Sequence, residues 1–119
     1  MTPDEKQFLF TVAWMFARHG CSVRARNVLE AAVEDDPRDG RAAAAFAGML
    51  LADGEPARAL ETLRAADYPP DLAHAQAVLE TRALRALGRK DEAAARWRRW
   101  IESAKGASRR WVDEGAAAK

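Results

Sequence analysis

Two histidines, one cysteine and a run of three carboxylates are the residues of this chain that could carry protons, attack a carbonyl or hold a metal. His19 and His74 each fall near an expected helix end, where an imidazole is a surface or capping group more often than a base. Cys21 is the single cysteine, so no internal disulfide forms, and a lone thiol fits a reducing compartment. Glu34, Asp35 and Asp36 come at the end of a helical pattern and are expected to face water. No Cys/His cluster has zinc spacing, and no Gly-rich loop offers amides to a phosphate. These groups form no catalytic constellation, so the expectation is a protein with no enzymatic activity, cofactor or metal.

The residues that can do something together are recognition residues. Phe10 and Trp14 lie four apart and share a helix face. Arg82 and Arg85 supply positive charge further along, and the small residues Ala44 and Gly48 leave room between. Aromatic and Arg side chains are the usual anchors of interfaces, and such a set suits an apolar, partly acidic peptide laid in a groove. Balanced charge argues against other partners. The chain has 19 basic and 18 acidic residues, net charge +1, so no electrostatic footprint for nucleic acid or an anionic membrane is expected. No apolar run approaches the roughly 18 residues of a membrane span. The opening "MTPDEKQFLF" is too polar and acidic for a secretory signal. A cytosolic protein without membrane insertion is expected.

The elements that must position these residues are helices. Ala occurs 28 times in 119 residues, no segment alternates at period two, and the composition favours helix. A ruler then fits three times. Gly20, Gly54 and Gly88 are 34 residues apart; five residues after each stands Ala25, Ala59 or Ala93, and four further on Leu29, Leu63 or Trp97. A 34-residue period with Ala-x3-bulky late in the unit is the tetratricopeptide signature. The Gly lets the chain leave one helix through a left-handed conformation. The Ala lets two helices approach closely, and the bulky residue fills the space between hairpins. Pro37 stops the second helix. The pattern predicts helices over about 4–19, 22–35, 40–53, 56–66, 71–87 and 90–104, with Ser22 and Asp71 as caps and Pro56 in a first turn. Phe8, Leu9, Val12 and Phe16 are expected to form the core face of the first helix.

The expected fold is all-α: three tetratricopeptide-like hairpins in a right-handed superhelix over residues 1–107, with repeats at about 6–39, 40–73 and 74–107. A capping tail follows at 108–119, where Trp111 would cover the last hairpin. The first helix of each pair lines the concave face. Carrying the family's inward positions across gives Gln7, Phe10, Trp14 and Ala17, then Arg41, Ala44, Gly48 and Leu51, then Ala75, Val78, Arg82 and Arg85. The dicarboxylate clamp of chaperone-tail-binding relatives needs Lys and Asn where this chain has Phe10, Trp14 and Ala45, and basic residues at Ala75 and Leu79, so that ligand is not expected.

The first repeat, "EKQFLFTVAWMFARHGCSVRARNVLEAAVEDDP", resembles the opening of the YscY-like tetratricopeptide chaperones of bacterial type III secretion. The resemblance rests on Phe8-Leu9, Trp14, Gly20, Arg24-Ala25, Leu29 and Pro37, and is best over about the first 40 residues. Glu80, Thr81 and Lys105 depart from the family's third repeat. The resemblance implies a chaperone in the bacterial cytoplasm that binds a small secreted export protein, the X-type partner, and helps bring it to the export-gate protein. Phe10, Trp14, Ala44, Leu51 and Val78 would shelter the partner's apolar segments, and the chain could homodimerise when that partner is missing. Needle-subunit chaperones and general tetratricopeptide adaptors carry the same repeat pattern and stay open as alternatives.

Overall fold

The computed structural model describes residues 2–117, and side chains for residues 2–110. Six α-helices follow one another: α1 Pro3–Arg18, α2 Ser22–Asp35, α3 Gly40–Ala52, α4 Pro56–Ala65, α5 Ala73–Ala86 and α6 Lys90–Ala117, with a 3-10 turn at Pro70–Leu72 before α5. The described residues contain no strand.

Local chemistry sets the helix starts. The Thr2 hydroxyl accepts the Glu5 N–H at 3.1 Å, and the Glu5 carboxylate accepts the Thr2 N–H at 3.2 Å, a reciprocal capping box ahead of Pro3. Asp39 caps α3 by accepting the N–H groups of Arg41 and Ala42. Two expected caps are not used. Ser22 lies inside α2, whose first flanking residue is Cys21, and Asp71 lies in the 3-10 turn, with Leu72 flanking α5; neither start has a side-chain cap.

The 34-residue ruler is a repeated turn. Gly20, Gly54 and Gly88 have φ of +79°, +77° and +76°, a conformation that costs an L-residue about 1–2 kcal/mol. Across them Cys21, Glu55 and Arg89 donate their N–H groups to the carbonyls of Phe16, Leu50 and Leu84 at 2.7, 2.8 and 2.9 Å. These are the closing bonds of three Schellman turns. Each turn folds a helix back on the one before, giving the hairpins α1–α2, α3–α4 and α5–α6, and α2 then packs on α3, α4 on α5 and α3 on α5. Ala25, Ala59 and Ala93 are completely or almost completely buried, as close helix approach requires.

One core joins the first two hairpins through Ala25, Leu29, Phe46, Leu50, Ala59 and Leu63; a second, of Leu60, Ala83, Leu84 and Ala93, joins α4 to the third hairpin. Leu51 packs against both. Phe8 departs from the expected core face: it is 67% exposed, whereas Leu9, Val12 and Phe16 are half-buried. Pro37 follows the end of α2 as expected. In the third unit that place is Lys105, which keeps its N–H, and α6 runs on to Ala117 instead of ending near 104. The side chain of Trp111 lies outside the described residues.

Candidate protein-interaction surface

Of the residues proposed for the concave face, Gln7, Phe10 and Arg41 gather at one place and Val78, Arg82 and Arg85 at another. At the N-terminal ends of α1 and α3, Gln7, Phe10 and Arg41 line a cavity of about 180 Å³ with Pro3, Lys6 and Asp39. Phe10 is half-buried and packs against the first core, so part of its ring is structural. Lys6 Nζ lies 3.0 Å from Asp39 and 3.3 Å from Asp36, tying α1 to the start of α3. Partial burial alone would raise the Asp39 pKa, but the Lys6 ammonium and the capped N–H groups outweigh it and hold the carboxyl below its ordinary range. Asp36, expected to face only water, is thus part of an ion pair and also accepts the Arg38 N–H. Arg41 is exposed and lies 3.8 Å from Asp71.

Trp14 is 60% exposed, with the Arg18 guanidinium 5.0 Å from its ring centroid, a cation–π contact that holds the indole without burying it. Ala17 is exposed and Ala44 half-buried. Gly48 forms a notch: a Cβ placed there would have no neighbour within 4 Å. Leu51 serves the core more than the surface, since it touches both clusters.

At the other end, Val78, Arg82 and Arg85 of α5 meet Trp97 of α6 around a cavity of about 310 Å³. Ala75 is half-buried nearby in the chain. Thr81 also lines this cavity; its hydroxyl is buried and has no hydrogen-bond partner among the described residues. Trp97 was expected to fill a space between hairpins but is only half-buried. His74 is no isolated surface group: its ring centroid lies 5.5 Å from Trp100 and 6.4 Å from Trp97. Glu80 and Arg96, which line a separate cavity of about 570 Å³ with Arg64, Gln76 and Arg99, form a hydrogen-bonded ion pair with side chains 8% and 13% exposed. Sequence reading missed Thr81 as a lining residue and this pair altogether. The available signal was a charge and a hydroxyl at positions where the first two units carry Val12-Ala13 and Phe46-Ala47.

No family model, curated protein or solved structure matches this chain. No described helix is long and apolar enough to cross a membrane. Chemically, the surface offers apolar and cationic contacts. Among the described residues no three His, Cys, Asp or Glu side chains converge as metal ligands would.

Proposed function

We propose that this chain is a tetratricopeptide-type binding protein, three hairpins in a right-handed array, that shelters apolar segments of a partner protein. The observation that carries this reading is where exposed apolar surface collects. Phe8, Trp14, Met15 and Val23 are the large exposed hydrophobic side chains of the described residues, and all four belong to the first hairpin. Scattered exposed apolar residues need no explanation, but a concentration on one element marks an interaction surface. The resemblance of the first repeat to YscY-like proteins gives the reading its specific form: a type III secretion chaperone of the bacterial cytoplasm, which holds a small export protein and brings it to the export apparatus.

The experiment is a pull-down with the tagged chain from its native cell, repeated with Trp14→Glu. Trp14 is exposed, so the variant should keep its helix content while losing its partner; Phe10 packs on the core and would confuse binding with folding. A single small partner recovered at one-to-one ratio and lost with Trp14→Glu is the expected result. A spread of large folded partners, or a partner held equally by Trp14→Glu, overturns the chaperone reading.

A further inference from the structure

The third hairpin repeats the second at a distance of 34 residues, which matches Val78, Thr81, Arg82, Arg85 and Trp97 to Ala44, Ala47, Gly48, Leu51 and Leu63. In the second hairpin two of these positions are closed over, while Ala44, Gly48 and Leu51 stay half-buried. Ala47 and Leu63 are fully buried, and Leu79 of the following helix lies against the core they belong to. In the third hairpin α6 runs straight on to Ala117 rather than turning back, and the same positions open into the 310 Å³ cavity. What lies against the core of Ala47 and Leu63, the counterparts of Thr81 and Trp97, is a helix.

The substitutions between the two units say what kind of helix fits. Thr81 replaces Ala47; it is only 6% exposed, and its hydroxyl has no hydrogen-bond partner among the described residues, so a polar group stands where the unit before has a methyl. Arg82 and Arg85 replace Gly48 and Leu51. Both are exposed, stand three apart on one helix, and have no acidic partner among the described residues, so they repel each other until neutralised. Val78 and Trp97 keep the wall apolar. In a second copy the exposed apolar surface is greatest on α1, whose acids are Asp4 and Glu5 in the first turn, with Glu5 engaged by Thr2, so that helix does not set acidic residues beside its exposed Trp14 and Met15.

We infer that the Val78–Trp97 cavity docks a helix of the partner protein. The helix carries an apolar side chain for the cavity and acidic residues three or four apart for Arg82 and Arg85. This rests on the partner-binding reading above and adds to it a second contact and a rule of selection. Charge-assisted bonds to two guanidiniums discriminate against neutral or basic helices.

The test selects a displayed library of helix-favouring peptides, each of about 16 residues and so about 24 Å long as a helix, on the immobilised full chain. The best peptides are then titrated against the wild type, Arg82→Gln/Arg85→Gln and Trp14→Glu. The expected result is enrichment of paired Asp or Glu beside Leu or Phe, with affinity falling about tenfold or more, or 1.4 kcal/mol, in the double Arg variant and little in Trp14→Glu. Both Arg side chains are exposed, so circular dichroism should show the variant folded. Peptides without acidic pairs, or insensitive to the Arg changes, overturn the inference; if Trp14→Glu abolishes their binding, the broader reading stands. Failure to enrich any peptide overturns both. A wild-type dimer in sedimentation that the Arg changes dissociate makes a second copy the occupant and also overturns the inference.

Discussion

Two glycines of α3 separate what a missing side chain can be for. Gly40 sits where the chain after α4 returns: a Cβ there would lie 2.4 Å from the Asp67 carbonyl oxygen and 2.8 Å from Tyr68. Gly40→Ala must push backbone aside, and should cost about 1–3 kcal/mol as overpacking does. Gly48 has helical geometry and open space, so Gly48→Ala should gain about 0.5–1 kcal/mol from the unfolded chain's lost freedom. Urea unfolding of the two variants checks the opposite signs; two losses would mean that Gly48 is not the open notch described. Asp39 provides a pH test. Its carboxyl is held below the ordinary 3.8, so the stability it adds is present above that value and fades as pH falls through the lower folded-state pKa. Asn keeps a capping oxygen but cannot titrate. The melting-temperature advantage of the wild type over Asp39→Asn should therefore shrink between about pH 5 and pH 2; a constant difference would show that the charge is not what Asp39 contributes.

Element boundaries divide into those that local chemistry writes and those that packing writes. The three turns were legible because each needs φ above zero, which only Gly meets cheaply, and because Ala25, Ala59 and Ala93 follow at a fixed distance. The start of α1 is equally legible as Thr2-x-x-Glu5, a capping box written in neighbouring residues. The end of α6 was not. A stop near 104 was inferred from unit length, but neither Lys105 nor Gly106 forbids helix, and one glycine costs only about 1 kcal/mol. At the candidate site, the helix faces of Trp14 and Arg82 followed from spacing, whereas the covering of Phe10 and the opening beside Trp97 depend on which helix comes next. The small-residue rule makes its own prediction. Ala59 is fully buried beneath the α3–α4 contact, so Ala59→Leu should destabilise by about 1–3 kcal/mol. An unchanged unfolding midpoint would remove close approach as the reason for that Ala.

Among the described residues the main helix contacts run within a hairpin or between consecutive hairpins, so stability should be divisible in a way that a single shared core would not allow. The connections differ in kind. The first two hairpins share a large core and are laced by Lys6 to Asp39, Arg26 to Asp53 and Glu55, and Arg58 to Glu30. The third joins through a smaller core, and its own two helices are pinned by the Glu80–Arg96 pair. A buried pair is weak support for stability as it stands, but removing one member strands the other charge at a cost of about 3–5 kcal/mol. Glu80→Ala should therefore loosen α5 and α6 while α1 and α2 keep their protection, and hydrogen exchange resolves the two regions. Replacing both members, Glu80→Leu with Arg96→Met, removes the stranded charge and should restore most of the protection. If Glu80→Ala speeds exchange equally in all six helices, the hairpins unfold as one unit. The third hairpin would then not be the separately yielding surface on which a partner helix could be selected.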